Sequence, residues 1–441
     1  MVHMTIFNKN KKKGKGNIPI NRSLAKRTEN GQVIQDLPTV NFKGKRVSLF
    51  TVISPNICPS CGSILNVHQN YKRYIISSYG IIECKTKYWD CSNEECHSHA
   101  NDVIVGVTGS ANYSDEYLEK QKYVRYDGKC SLWNSRSVGE VYTAGLTDIS
   151  GRAPCPTTLW KYEQNEGKRS YQELLDQDVD FDGILHIDGY WVKEGWRKFI
   201  EMKLGRKLTE REWKKIRYKV IYAVATKDKV ILDFQITTIM PSFLELIPLL
   251  SRIKNRLSER IKKVVSDEDN AIIGAVKSVL PNVLHSFCVF HQLQSVTRKY
   301  LDQFKSIKNI PEGEKILYDF SKAMIQSETV IESTVIFRAI QDMSSEMKLS
   351  DASKKVIKYT EEMYFNNRKL LENGFIPETN NVMEQLFSLI DDIVYQARSF
   401  KTKTGLKNFF SNLFSMFNNR AFNTGKWRGY SPVERAKSNF G

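Results

Sequence analysis

Residues 183–192 read GILHIDGYWV, an apolar run with one acid, Asp188, near its centre. A carboxylate inside a strand costs several kcal/mol unless something compensates it, and metal coordination is the usual compensation. The sequence on the C-terminal side gives this run its partners. Two further strand-like runs follow, YKVIYAVAT (218–226) and KVILDFQITTI (229–239), joined by a turn at Lys227-Asp228. SFLELIPLLSRIKNRL (242–257) has helical periodicity, IKKVVSDED (261–269) reads as a strand ending in acids, AIIGAVKSVLP (271–281) as a helix and NVLHSFCVF (282–290) as a fifth strand. Alternating apolar strands and amphipathic helices predict an α/β core over residues 176–300.

Three strands, helix, strand, helix, strand is the order of a ribonuclease H-like fold with a mixed five-stranded sheet. That order sets Asp188, on the first strand, beside an acid at the end of the fourth. Asp267 is the candidate there, with Glu268 and Asp269 as neighbours that could take its place. Two carboxylates so placed can bridge divalent ions roughly 4 Å apart, which activate water and stabilise the leaving oxygen in line. Residues 301–375 are charged and helical, an all-helical insertion. The third acid is expected from the segment after it, PETNNVMEQLFSLIDDIV (377–394). There Thr379 or Asn380 can cap a helix, Val382, Leu386, Leu389 and Ile393 form an apolar stripe, and Glu384 falls on another face. Glu378, Asp391 and Asp392 compete with Glu384. Mg²⁺, or Mn²⁺ in its place, suits such a set of oxygens.

The N-terminal side carries a different chemistry. Cys58-Pro-Ser-Cys61-Gly and Cys91-Ser-Asn-Glu-Glu-Cys96 are two paired-cysteine knuckles, separated by the strand-like YKRYIISSYGIIECKTKYWDC. Four thiolates so arranged predict a structural Zn²⁺ ribbon over residues 51–110. The second pair has four intervening residues, so His97, His99 or Cys84 could replace Cys96. Residues 111–175 read as three helices in a helix-turn-helix arrangement. Ser114 caps the first, the second ends near Gly145, and Pro156 opens a short third one whose Thr157, Thr158, Trp160 and Lys161 are candidates for reading a DNA major groove.

The formal charge of +17 sits at the two ends. Residues 1–50 carry 11 Lys/Arg against 2 Asp/Glu, residues 396–441 carry 9 against 1, and the 345 residues between are neutral. Basic ends on a neutral body suit a phosphate backbone, where each cation releases counterions. Residues 1–50 are expected to be a flexible basic tail. Residues 376–441 are expected to return the last catalytic helix and a basic region in which Lys401, Lys403 and Lys407 hold flanking DNA. No run of 18 apolar residues predicts a membrane span, and no secretory signal opens the chain. Clustered cysteines in such a chain predict a reducing, cytoplasmic location.

Taken together, Asp188-Gly, Val265-Ser-Asp267, Cys288-Val-Phe-His291, Thr379-Asn380-Asn381-x-x-Glu384 and the GYSPVE of residues 429–434 resemble the Mutator-like superfamily and related prokaryotic insertion-sequence transposases. The resemblance implies a DDE triad of Asp188, Asp267 and Glu384 on Mg²⁺. It also implies that Cys288 and His291 are the family's C-x2-H pair near the active site, against the plainer reading of a buried thiol and a core histidine. It further implies double-stranded element ends and target DNA as partners, a homodimer or higher oligomer on DNA, and a nucleoid-associated place in a prokaryotic cytoplasm. The competing readings are a zinc-ribbon and helix-turn-helix regulator without catalysis, and a nuclease of the same fold that does not join strands.

Overall fold

The computed structural model describes residues 52–441 apart from 78–79, 109–111, 145–152, 194–196, 239, 398–399, 424, 426 and 438–441, together with four three-residue strands between residues 25 and 47. The rest of the basic stretch 1–50, and the turn expected beyond the second helix, lie outside the described residues. Two compact units emerge, Met1–Glu163 and Gln164–Gly441.

In the first unit β1 (Leu65–Ser77) and β2 (Gly80–Cys91) form a long antiparallel hairpin, and β3 (His99–Asn101) pairs with β2. Asp102 follows β3 and accepts the Trp89 indole N–H at 2.6 Å and the Lys87 amide at 2.8 Å, which pins the third strand to the second. Two small cores result, Cys58, Leu65 and Trp89 at one end and Val52, Ile75, Cys84, Ile104 and Val107 at the other.

Three helices follow: α1 (Asp115–Asp127), α2 (Leu132–Ala144) and α3 (Pro156–Asp176). Ser114 caps α1 through Tyr117 N–H, and Asp115 and Glu116 occupy its first turn, where the helix dipole favours anions. A buried ion pair, Arg125 to Glu163 at 2.6 Å, joins α1 to α3. Burial pushes the Glu163 carboxyl up to about 7, against the pull of Arg125 and Lys122. The short third helix expected from the sequence is in fact 21 residues long. Gly167 does not end it. A Cβ there would lie 2.4 Å from Asn408 Cβ, so glycine lets another helix approach closely.

The second unit is built on a five-stranded mixed sheet. Its strands are β4 (Ile184–Lys193), β5 (Tyr218–Ala225), β6 (Ile231–Thr237), β7 (Lys263–Ser266) and β8 (Leu284–Phe287), in the order β6-β5-β4-β7-β8. β4, β5 and β6 pair antiparallel, whereas β7 and β8 run parallel to β4. The β4–β5 connection carries two short helices, Arg197–Leu204 and Glu210–Arg217. Thr209 and Glu212 form a reciprocal capping box at the second of them.

Alternation along β4 sorts its side chains. Leu185 and Ile187 enter the core formed with α4 (Phe243–Leu257) and α5 (Asn270–Val279). His186, Asp188 and Tyr190 face the other way. The strand expected over 282–290 is shorter, because Cys288 caps α6 (Val289–Phe304). With α7 (Glu312–Gln326), α8 (Val330–Glu346) and α9 (Asp351–Glu372), α6 builds a helical bundle around Tyr300, Leu317, Met324, Phe337, Val356 and Tyr364. The chain then returns through α10 (Asn381–Ala397) and α11 (Lys403–Asn419) and ends with α12 (Pro432–Lys437). Ser431 and Glu434 of GYSPVE exchange hydrogen bonds of 2.8 and 3.2 Å as a capping box for α12, so this motif has a structural role.

Candidate functional site

Asp188 and Asp267 stand side by side because β4 and β7 are adjacent and parallel. The last registered pair is Ile187 with Ser266; Asp188 is the next residue of β4 and Asp267 the first residue beyond β7. Both line one cavity of about 570 Å³, together with His291, Ser295, Arg298 and Trp191. Gly189 follows Asp188 for a packing reason, since a Cβ there would come within 2.8 Å of Val220 Cγ1 on β5.

The electrostatics are those of crowded acids. Burial and then the charge of Asp267 push Asp188 up to about 7; Glu384 adds in the same sense and His291 opposes. Burial likewise raises Asp267, helped by Asp269 and Glu268 and resisted by the Asp269 amide and His291. Two half-buried carboxylates that are both costly to ionise form a donor set that a divalent cation relieves.

The neighbouring acids are committed elsewhere. Asp269 caps α5 through the Ala271 amide at 2.7 Å and accepts the Tyr222 hydroxyl at 2.5 Å. Glu268 accepts Tyr359 O–H at 2.6 Å and Ser295 O–H at 3.0 Å, which ties this loop to the helical bundle. Glu378 pairs at 2.7 Å with Lys263, a fully buried lysine. Asp391 accepts the Tyr190 hydroxyl. Glu268 and Asp269 line the cavity together with Asp188 and Asp267, but their carboxylates are engaged by these hydroxyl and amide groups.

Glu384 lies in the first turn of α10. A carboxylate oxygen of Glu384, Cys288 Sγ and a ring nitrogen of His291 all lie within 4.8 Å of one another. The buried stripe of α10 is Met383, Leu386, Phe387, Ile390 and Ile393 rather than the expected Val382–Leu386–Leu389–Ile393, and Leu389 is 44% exposed. Tyr190 ring packing on Phe387 at 5.1 Å sets this rotation.

The start of α10 is fixed by Asn380, which the sequence offered as a candidate cap without showing its partners. Its Nδ2 donates to the Ile187 carbonyl at 3.0 Å, its Oδ1 accepts from His186 Nδ1 at 3.2 Å, and its amide donates to Cys288 Sγ at 3.1 Å. One buried residue thus joins β4, through its side chain, to the N-cap of α6, through its backbone amide, at the N-terminus of α10. His186 is thereby a satisfied core histidine, kept neutral first by burial. Asn381, next along the chain, is exposed. The Cys288 sulfur beside it, and then Asp267 and Asp188, raise His291 to about 9 even though burial works the other way.

In the first unit Cys58, Cys61, Cys91 and Cys96 bring their sulfurs within 4.8 Å of one another. Sγ–Sγ distances are 3.7 Å for Cys58–Cys96 and 3.4 Å for Cys61–Cys91. The first knuckle turns on Gly62, at φ 76°, with its amide donating to the Cys58 carbonyl at 2.9 Å. Four sulfurs at this spacing could hold a zinc ion. Cys84 sits in the other small core, and His99 is taken up by Asp90 at 2.6 Å, so Cys96 supplies the fourth sulfur.

On α3, Thr157, Trp160 and Lys161 are exposed and Thr158 is half-buried. Lys401, Lys403 and Lys407 are exposed, before, at the start of and along α11, and the Lys407 ammonium lies 3.9 Å from the centre of the Tyr171 ring. Phe409, Phe410 and Phe414 are core residues. No helix among the described residues is long and apolar enough to cross a membrane.

No family model matches the chain, and no curated protein matches it. Among solved structures it is similar to a chain of the "Drosophila P element transposase strand transfer complex", at 13% identity and a TM-score of 0.29, over 75% of this chain and 86% of that one.

Proposed function

We propose that this chain is a DNA transposase that cuts and joins DNA with a DDE triad of Asp188, Asp267 and Glu384. The observation that carries the proposal is that Asp188, in the middle of β4, and Asp267, just beyond the end of the adjacent parallel β7, line one cavity with both carboxyls raised. The strand order β6-β5-β4-β7-β8, with three antiparallel strands and two parallel ones, is read as ribonuclease H-like, and the sequence motifs as Mutator-like.

Mg²⁺ held by the three carboxylates would activate the attacking oxygen and stabilise the leaving one. The residues do the positioning. Asn380 holds α10, and with it Glu384, against β4; Gly189 lets Asp188 sit close to β5; His291, charged at neutral pH, offers a cation to a phosphate in the cavity. The reaction is phosphodiester hydrolysis at element ends, freeing a 3′-OH that attacks target DNA. The first unit is read as a zinc ribbon and helix-turn-helix that bind those ends, with Thr157, Trp160 and Lys161 facing the groove and Lys401 and Lys403 holding flanking DNA. The working form is a homodimer or higher oligomer that pairs two ends.

Incubating the full chain and Mg²⁺ with duplexes from the borders of its coding locus tests this reading. Nicked ends and their joining to a plasmid are the expected products. Binding without cutting would leave a regulator, and cutting without joining a nuclease.

A further inference from the structure

Beside the proposed triad lies a second donor set with a different preference. Cys288 Sγ, a His291 ring nitrogen and a Glu384 oxygen lie within 4.8 Å of one another, which brings a third ligand to the C-x2-H pair. Hard Mg²⁺ has little use for sulfur, whereas thiolate, imidazole and carboxylate together suit Zn²⁺. Zinc bonds of about 2.0–2.3 Å would draw the three atoms together by a small movement of side chains.

Three features prepare the sulfur and the ring. Cys288 is the N-cap residue of α6, where amide dipoles favour a thiolate. The Asn380 amide donates to its sulfur at 3.1 Å, as an outer-shell donor to a metal thiolate does. His291 Nδ1 is buried and makes no hydrogen bond, and a metal that displaces the ring proton would leave the imidazole with a bonded partner.

We propose that Cys288, His291 and Glu384 form a soft divalent-ion site that takes Zn²⁺, and that a zinc ion there withdraws Glu384 from Asp188 and Asp267. The inhibition rests on the transposase reading above; the metal site itself does not. Glu384 is the residue the two sets share, so one carboxylate decides between them. Zinc would occupy the site with three protein ligands and one open position, in contrast to the four-sulfur site of the first unit.

The test titrates the full chain, its four-cysteine site already filled with zinc, with Cd²⁺ and follows thiolate-to-metal charge-transfer absorbance. One further equivalent is expected in the wild type. It should weaken by at least about tenfold, roughly 1.4 kcal/mol, in Cys288→Ala and in His291→Ala, while circular dichroism and the zinc content of the first unit stay unchanged. No further equivalent in the wild type, or the same affinity in both variants, overturns the site. Zinc added to the Mg²⁺-dependent cutting assay should inhibit the wild type and spare Cys288→Ala. Cadmium binding without zinc inhibition overturns the regulatory half alone. A chain that cuts no DNA but binds the extra Cd²⁺ refutes the transposase reading and leaves the site standing.

Discussion

At the scale of single residues, the acid-rich turn Ser266-Asp267-Glu268-Asp269 shows how position assigns chemistry to similar side chains. Three acids in a row are equivalent on paper. In the fold Asp269 caps a helix, Glu268 takes two hydroxyls from the helical bundle, and Asp267 faces Asp188. The partner of Glu268 is 91 residues away, beyond what local pattern reading can reach. The expected outcomes differ accordingly. Asp267→Asn should abolish Mg²⁺-dependent cutting, a loss of several kcal/mol of transition-state stabilisation or roughly 10³-fold in rate. Asp269→Ala should keep the chemistry and lower stability by about 1 kcal/mol, as loss of a helix cap does. Rates and denaturant midpoints of the two variants, measured together, separate the roles. A chain equally crippled by both changes would refute the division of labour.

At the scale of elements, the sequence was most legible where the pattern was locally complete. Strand alternation and the acid in GILHIDGYWV gave β4, and the Lys227-Asp228 turn gave the β5–β6 hairpin. Ser114 was visible as a cap because a helix start is a local event. The rotation of α10 was not. Two apolar series share Leu386 and Ile393, and only the distant contact of Tyr190 with Phe387 selects between them. The length of α3 was also misjudged: it was read as a short helix, and it runs on to Asp176. Asn380 could be read locally as a candidate cap, but its side-chain bonds to Ile187 and His186, 193 and 194 residues away, could not. Asn380→Ala orphans the Ile187 carbonyl and His186 Nδ1, at about 1–3 kcal/mol for each buried group. Asn381→Ala, one residue on and exposed, should change stability by less than about 0.5 kcal/mol. Urea unfolding of the pair checks the contrast; equal midpoints would mean that Asn380 is not the clamp between β4 and α10.

At the scale of the whole molecule, the two units rest on different sources of stability. The second has a large apolar core and a helical bundle. The first has two small clusters and four sulfurs that come together at one end of a hairpin. A region with so little core would draw its stability from a zinc ion held by those sulfurs. Stripping the zinc with a strong chelator should therefore open residues 52–107 to protease while leaving the five-stranded sheet protected. A ribbon that resists protease after complete zinc loss would contradict this.

The proposed triad requires that the carboxylates of Asp188, Asp267 and Glu384 hold divalent metal in common. Manganese is a paramagnetic stand-in for magnesium, so its binding can be counted directly. Titration of the zinc-loaded full chain with Mn²⁺, followed by the electron-spin signal of the free ion, should show saturable binding in the wild type. That binding should weaken by at least about tenfold, roughly 1.4 kcal/mol, in each of Asp188→Asn, Asp267→Asn and Glu384→Gln, but not in Asp391→Asn. Manganese bound as tightly after any one of the three changes would contradict the claim.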